Sequence, residues 1–241
     1  MNIAVASIYN EAIIEMAEIT VNQNKRSYCD RHGYTLKTKT KDFPCKDIGF
    51  AKIHFLLDIL KSNNYDWVFW CGADTLITNP QIKLESLIDE NYHLIVTCDI
   101  WDWNLDCFFV RNSEKCIKFL EKIISQYDDY IDEDGKPRHL GYVLKDGGGA
   151  AWAEQGAVIL ECKEKMFIPE VKSEYKNFVK ELPQKSMNSY LYHVYPSPYH
   201  QKGLDYKGRD GSWAKGDFML HMPGLPNEFR MQVLKQISGL I

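Results

Sequence analysis

The sequence predicts an α/β fold in which a buried sheet is covered by helices on both faces. The run Trp67–Cys71 consists of apolar residues only. It is too short for a helix between its flanks and is typical of a strand buried on both faces. The run Ile3–Ile8 is a second apolar strand, and apolar residues recur at helical spacing from Glu11 onward. Strand, loop and helix in this order form the first half of a β-α-β unit.

Length and composition narrow the class of protein. The 241 residues fit one large α/β domain or two small ones, and the net charge of -4 offers no basic surface for nucleic acid. No run approaches the ~18 apolar residues that span a membrane, and no basic segment precedes an apolar one at the N-terminus. The seven cysteines include no C-x-x-C pair, which favours reduced core residues over a disulfide or zinc framework. A cytoplasmic protein without a membrane span is therefore predicted.

The first half of the chain continues this alternation of helices and strands. Gly33 is a C-cap signal for the first helix. The predicted elements after it are a strand Tyr34–Thr38, a loop Lys41–Gly49 and a helix Phe50–Lys61. Lys52 falls in the first turn of that helix, where it is either solvated or directed at a phosphate or an acceptor.

The end of the central strand carries the most informative polar residue. Asp74 follows the apolar run after Gly72. A charged carboxylate inside the sheet would cost several kcal/mol, so Asp74 must emerge at the strand end, where open α/β sheets bind ligands. The alternative is a turn cap beside Thr75 and Asn79.

A tryptophan-rich segment follows the strand Leu94–Thr97. It is predicted as a loop, Cys98–Asp106. Its acids, aromatics and amide are Asp99, Asp102, Asp106, Trp101, Trp103 and Asn104. Aromatic faces and polar side chains together suit a carbohydrate ligand. An aromatic lid packed on the core is the alternative.

The second half of the chain supplies three further candidate site residues. Glu154 and Gln155 precede an apolar helix or strand, where they either cap a helix or face a site. His221 lies in a strand beside a turn and is either structural or a ligand. The other elements predicted here are a strand Phe108–Val110, a helix from Ser113 to about Tyr127, a polar lid or acceptor loop Asp128–Gly149, and a helix from Asn227.

Several stretches, in order, carry a family resemblance. They read NKRSYCDRHGY, FAKIHFLLDIL, WVFWCGADTLITNP, NLDCFFVRNSEKCIKFLEKI, WAEQGAVI and GDFMLHMPG. Together they resemble the GT-A glycosyltransferases related to yeast α-mannosyl/galactosyltransferases and plant xyloglucan xylosyltransferases. The resemblance implies a single GT-A domain over residues 1–241, with a Rossmann-like mixed central sheet.

The resemblance also implies a metal site. Asp74 corresponds to the second acid of the family's Asp-x-Asp motif, and His221 corresponds to a second protein ligand of Mn²⁺ (or Mg²⁺). Oxygen and imidazole ligands together with phosphate oxygens suit such an ion. Gly72 stands where the family has its first acid, so the motif here reads Gly-x-Asp.

Further roles come from the same residue-by-residue transfer. Asn104, Glu154 and Gln155 fall around the donor sugar and acceptor and are assigned as catalytic. The residues expected to bind the nucleotide sugar are Ala6, Ser7, Tyr9, Lys52, Gly72, Ala73, Asp74 and Gly224. The family retains anomeric configuration, and an amide at Gln155 is not the carboxylate nucleophile that a covalent route needs. Front-face displacement is therefore favoured, with the leaving phosphate helping to deprotonate the acceptor.

The sequence thus predicts a glycosyltransferase that moves a hexose or pentose from a UDP- or GDP-sugar to a glycan or glycoprotein hydroxyl. Because of Gly72, a non-catalytic relative that binds a nucleotide sugar or glycan is the alternative. A metal-dependent hydrolase using Asp99, Asp102 and Asp106 is a third interpretation, weakened by the lack of supporting histidines.

Overall fold

The computed structural model describes residues 1–138, 153–195 and 200–237. Its strands are β1 Ile3–Ile8, β2 Thr35–Lys39, β3 Trp67–Cys71, β4 Thr75–Ile77, β5 Leu94–Asp99, β6 Asp102–Arg111, β7 Val179–Leu182, β8 Ser189–Tyr190 and β9 Met219–His221. Its α-helices are α1 Ile14–Ala17, α2 Arg26–His32, α3 Ile48–Lys61, α4 Glu114–Ser125, α5 Tyr127–Tyr130, α6 Ala153–Cys162 and α7 Asn227–Ile237, and a π-helical stretch Glu18–Lys25 joins α1 to α2. Single 3-10 turns lie at Glu11–Ile13, Leu84–Ser86, Ser173–Tyr175, Gln184–Ser186, Tyr192–Val194 and His200–Lys202.

The central sheet is mixed. Its six strands lie in the order β2-β1-β3-β6-β5-β7. Strands β2, β1 and β3 are parallel, β6 is antiparallel to both of its neighbours, and β7 is parallel to β5. This confirms the α/β fold class with a Rossmann-like mixed central sheet.

Both faces of the sheet are covered. On one face the even-numbered side chains of β1 pack with apolar residues of α3, α4 and α6. On the other face the odd-numbered side chains of β1 pack with α2 and with residues around a second sheet, whose three strands lie in the order β4-β9-β8. Period-2 alternation in a strand buried on both faces produces these two cores. Helices therefore do cover both faces, as predicted.

Three local predictions are wrong. Asp47 accepts a hydrogen bond from the Phe50 amide and caps α3, so the helix begins at Ile48 rather than at Phe50. Lys52 consequently lies beyond the first turn, and it is only 3% exposed, which excludes the solvated interpretation. The predicted loop Cys98–Asp106 is a tight β5–β6 hairpin, because β6 begins at Asp102. After Pro80 the residues Leu84, Leu87 and Ile88 predict a short helix, but the structure has a single 3-10 turn, Leu84–Ser86.

Other predictions agree with the structure. Gly33 ends α2 with a left-handed φ of 75°. All seven cysteines are free, and all but Cys45 are buried. Within the described ranges, no helix combines the length and apolarity needed to cross a membrane. The glycine run of the predicted lid falls in residues 139–149, outside the described residues.

Candidate functional site

Two of the three strands of the second sheet bring Asp74 and His221 together. Asp74 lies between the end of β3 and the start of β4. Strand β4 pairs antiparallel with β9, with Thr75 opposite His221, and the Met222 amide donates to the Asp74 carbonyl at 3.2 Å. His221 Nε2 consequently lies 3.5 Å from Asp74 Oδ1. The structure thus brings together two residues separated by most of the chain.

Asp106 completes a group of three side chains. Its Oδ2 atom lies 3.6 Å from His221 Nε2. Each of Asp74, Asp106 and His221 offers one ligand atom, and these atoms all lie within 4.8 Å of one another. Two atoms bound to one Mg²⁺-sized ion at about 2.1 Å are at most about 4.2 Å apart, so a small adjustment suffices for all three to bind one cation.

A bulge in β6 places Asp106. Val96 pairs with Phe108, whereas the next residue, Thr97, pairs with Asn104. The intervening segment Leu105–Cys107 therefore has no partner on β5. β-bulges re-aim side chains beside functional sites. Here the bulge directs the Asp106 carboxylate toward the end of β3.

The hydrogen bonds of His221 define its tautomer. Its Nδ1 atom lies 2.7 Å from the Asn188 carbonyl oxygen Oδ1, which can only accept, so Nδ1 carries the proton. The Nε2 atom is buried and has no hydrogen-bond partner. Its lone pair faces the carboxylates of Asp74 and Asp106, which cannot donate when ionised. A cation between these three groups would satisfy all of them, so the residues fit a divalent ion.

The two carboxylates have opposite pKa shifts. Burial raises the pKa of Asp74, but His221, when it is protonated, and Arg230 outweigh burial and hold it below its usual value. Arg230 Nη2 donates to Asp74 Oδ2 at 3.0 Å. Desolvation raises the pKa of Asp106, and the nearby Asp74 raises it further, against the opposing charge of Lys52. Asp106 is therefore harder to ionise than an ordinary aspartate, and a cation beside it would favour its ionised form.

The group opens onto a cavity of about 810 Å³. The residues predicted from sequence that line it are Lys52, Gly72, Ala73, Asp74, Asn104, Glu154, Gln155 and Gly224. Among the described lining residues, β1 contributes Ile8 rather than Ala6 or Ser7, which are wholly buried in the sheet. The Tyr9 hydroxyl donates to Asn22. The end of β1 thus reaches the cavity through a different residue than expected.

Three of these side chains bind the backbone of the bulge. Lys52 Nζ donates to the Leu105 carbonyl at 2.7 Å, and Gln155 Oε1 accepts from the Leu105 amide at 3.0 Å. Asn104 Oδ1 accepts from the Asp106 amide at 3.0 Å. These bonds replace the strand pairing that the bulge lacks, because buried backbone groups need partners.

Glu154 binds Lys52 in turn. Glu154 Oε1 lies 2.6 Å from Lys52 Nζ. Burial lowers the pKa of Lys52, but Glu154 and Asp106 outweigh it and raise the pKa above its usual value. Lys52 therefore stays cationic beneath the cavity and links α3 to α6.

The acids of the hairpin do not form one site. Asp99 Oδ2 accepts from the Tyr190 hydroxyl at 2.7 Å and from Asn104 at 3.1 Å. Asp102 is wholly buried in an ion pair with Lys163. With Asp106 in the metal group, the hydrolase interpretation loses its basis.

The aromatic residues of the hairpin divide in the same way. Trp103 is buried in the core, whereas Trp101 lines the cavity. The core-lid interpretation thus applies to Trp103, and the carbohydrate-facing interpretation of Trp101 stays a prediction.

Sequence reasoning missed Asn188 and Arg230. Asn188 precedes the two-residue strand β8, and no pattern in the sequence marks it. Arg230 lies on α7, and the amphipathic pattern of that helix does not single it out. The structure shows it at the cavity.

Part of the chain matches a known protein family. Residues 5–92 match the model of the galactosyl transferase GMA12/MNN10 family. Over this segment the chain resembles the family, in agreement with the resemblance seen in its sequence. The match supports the prediction of a hexosyl- or pentosyltransferase. The matched segment includes Gly72 and Asp74 but ends before Asp106 and His221. No curated protein matches the chain.

Two solved structures share the fold. A glycosyltransferase involved in glycosylation of the major capsid of PBCV-1 is 14% identical, with a TM-score of 0.67, over 98% of this chain and 100% of that chain. The glycosyltransferase GlyE of Streptococcus pneumoniae TIGR4 is 12% identical, with a TM-score of 0.54, over 98% of this chain and 64% of that chain. At such identities the likeness concerns the fold alone.

Proposed function

We propose that this chain, as a single GT-A domain, transfers a sugar from a nucleotide-diphosphate donor to a hydroxyl of a glycan or glycoprotein with the help of a divalent ion. The observation that carries the proposal is the buried, unpartnered Nε2 of His221, which faces two carboxylates. Asp74 and His221 would hold Mn²⁺, or Mg²⁺. The imidazole nitrogen favours Mn²⁺, because Mg²⁺ prefers oxygen ligands.

Charge explains why an ion is needed. Asp74 and Asp106 lie where a diphosphate would have to bind, and like charges in a partly buried cavity repel strongly. When bound, the ion would offset the charge that develops on the diphosphate as the glycosidic bond breaks. Arg230 lines the same cavity beside Asp74 and would add a second positive charge near the phosphates.

The remaining residues would orient the sugar and acceptor. Gln155 uses its carbonyl oxygen on the bulge, so its amide N–H groups remain for the donor sugar. The family resemblance implies retention, and because an amide is a poor nucleophile, front-face displacement is favoured over a covalent route, with the acceptor proton passing to the leaving phosphate. Asn104 and Glu154 line the same wall. The base and ribose of a UDP- or GDP-sugar would lie by the end of β1, next to Ile8 and Ala73.

The test is donor turnover in the presence of Mn²⁺, measured against a panel of nucleotide sugars. We expect Asp74→Asn and His221→Ala each to lower turnover by at least about 100-fold, because each removes a ligand of the charge-stabilising ion. Asp134→Asn and His193→Ala change the same residue types at exposed positions and should retain activity. Unchanged turnover in Asp74→Asn or His221→Ala would contradict the assignment.

A non-catalytic sugar-binding relative is the second candidate, because Gly72 removes an acid that the family resemblance places there. A panel of nucleotide sugars that shows no turnover, together with tight binding of one of them, would favour this candidate. The cytoplasmic location stays a prediction from the sequence.

A further inference from the structure

Gly72 and Asp106 are cross-strand neighbours. Strands β3 and β6 are antiparallel with Cys71 opposite Cys107. One residue further along, the Gly72 amide donates to the Asp106 carbonyl at 2.8 Å. Side chains at opposed positions of an antiparallel pair project to the same face, about 5 Å apart at Cβ. A carboxylate on either residue would therefore enter the same space.

The space beside Gly72 is already occupied. A Cβ atom added to Gly72 would lie 3.0 Å from Asp74 Oδ1, and 3.5 Å from both Cβ and Oδ1 of Asp106. The φ angle of Gly72 lies outside the left-handed region that favours glycine. The backbone would therefore accept an L-residue. Glycine at this position leaves room for the Asp106 carboxylate and is not required by the turn.

The two oxygens of Asp106 have different surroundings. Its Oδ1 atom lies 3.7 Å from Lys52 Nζ, and its Oδ2 atom lies 3.6 Å from His221 Nε2. Lys52, Asn104 and Gln155 hold the backbone on both sides of it. One oxygen thus faces a fixed cation, and the other faces the unpartnered nitrogen where an ion would bind.

We propose that Asp106 supplies the carboxylate missing from position 72, so that the first acid of the motif has moved across the sheet to the neighbouring strand. The inference rests on the proposed function, because it concerns the same ion. It assigns Asp74, Asp106 and His221 as the protein ligands and gives Gly72 a steric role. It also gives Lys52, Asn104 and Gln155 a positioning role, since they hold the bulge that carries Asp106.

Mn²⁺ binding to the full chain, without nucleotide, tests the proposal. Titration calorimetry and the electron paramagnetic resonance of free Mn²⁺ both report affinity without any dependence on turnover. We expect Asp106→Asn to weaken Mn²⁺ binding by at least about tenfold, as loss of a ligand should exceed the effect of an outer-shell change. Asp134→Asn, which removes the same charge from an exposed position, should bind within about twofold of wild type.

A swap distinguishes a ligand from a merely structural aspartate. Asp106→Gly alone should lose affinity, and Gly72→Asp combined with Asp106→Gly should regain at least about tenfold of it, because the carboxylate returns to the same space from the opposite strand. Thermal melting without metal verifies that each variant is folded. If the double variant regains no Mn²⁺ affinity, the proposal that Asp106 replaces an acid at position 72 is overturned.

The outcomes separate this inference from the proposed function. Asp106→Asn binding as well as wild type, while Asp74→Asn loses binding, would overturn the role of Asp106 and leave the metal site in place. Unchanged binding in both variants would overturn the metal site itself, and this inference with it.

Discussion

Asn188 determines which nitrogen of His221 faces the cavity. The amide oxygen of Asn188 accepts from Nδ1 at 2.7 Å, so the lone pair on Nε2 points toward Asp74 and Asp106. Outer-shell partners of this kind hold the ring orientation and raise the basicity of a metal-ligating histidine. The ligand strength of His221 is therefore set by a residue that does not itself reach the ion.

We expect Asn188→Ala to weaken Mn²⁺ binding by about 10 to 100-fold, the range found when such partners are removed. Asn188→Asp should retain binding, because a carboxylate oxygen also accepts from Nδ1. Titration of both variants with Mn²⁺ measures the difference. Equal losses in both variants would show that Asn188 has a packing role only.

The site residues differ in how far sequence predicts them. Asp74 and His221 each lie at the end of a short apolar run, and a family pattern includes both. Asp106 was named only as a member of an acidic loop. Its place depends on a bulge between Val96 and Thr97, and no local pattern encodes the register of two strands. Asn188 lies in a segment without periodicity.

At the scale of elements, helix α6 is attached at both ends. Near its start Glu154 binds Lys52 of α3, and directly after its end Lys163 binds Asp102 at the beginning of β6. Both Lys163 and Asp102 are wholly buried, and Asp102 has a strained φ of 103°. A buried pair of this kind holds its two elements in place, since removing one partner leaves an uncompensated charge.

Lys163→Met should therefore lower the free energy of unfolding by about 3 to 5 kcal/mol. Adding Asp102→Asn to Lys163→Met should recover part of the loss, because no buried charge then remains. Lys118→Met breaks an exposed pair with Glu114 and serves as the control without a measurable change. Urea denaturation measures all of these variants. A Lys163→Met protein as stable as the control would contradict the anchoring role.

Element types were more predictable than their ends. Apolar runs indicated β1, β3 and β5, and helical spacing indicated α3 and α7. The start of α3 shifted because Asp47, within the predicted loop, caps the helix. The hairpin after β5 was mistaken for a loop although residues 101–107 alternate apolar and polar as a strand does, because the acids and the amide were interpreted as a ligand-binding surface.

At the scale of the whole molecule, the candidate metal site joins two sheets. Asp106 belongs to the six-stranded sheet, His221 belongs to the three-stranded sheet, and Asp74 connects them. The sequence predicted the first sheet from its apolar strands except for β7, which lies in a segment without sharp periodicity, and for the first half of β6. The second sheet could not be predicted, because β4, β8 and β9 have only two or three residues each and pair over long sequence separations.

An ion that binds only the folded protein should raise its melting temperature. At 100 times its dissociation constant Mn²⁺ would add about 2.7 kcal/mol. At about 2 to 4 °C per kcal/mol for a chain of this size, the shift is roughly 5 to 11 °C. EDTA should reverse it, His221→Ala should abolish it and His193→Ala should keep it. A shift that survives in His221→Ala would place the ion elsewhere.

The same shift should depend on pH. The pKa of the Asp106 carboxyl is raised by desolvation and by Asp74, so protons compete for it at a higher pH than for an ordinary aspartate, whose pKa is about 3.9. As pH falls through that raised value, the stabilisation by Mn²⁺ should shrink. Melting curves with and without Mn²⁺ across mildly acidic pH measure this loss.

Residues 74, 106 and 221 are also far apart in the order of synthesis. His221 follows Asp106 by 115 residues, so both carboxylates leave the ribosome well before the imidazole. An ion that needs all three groups would bind only after β9 has paired with β4, and it would therefore secure a scaffold that apolar packing has already built. A truncated product lacking β9 should not retain such an ion.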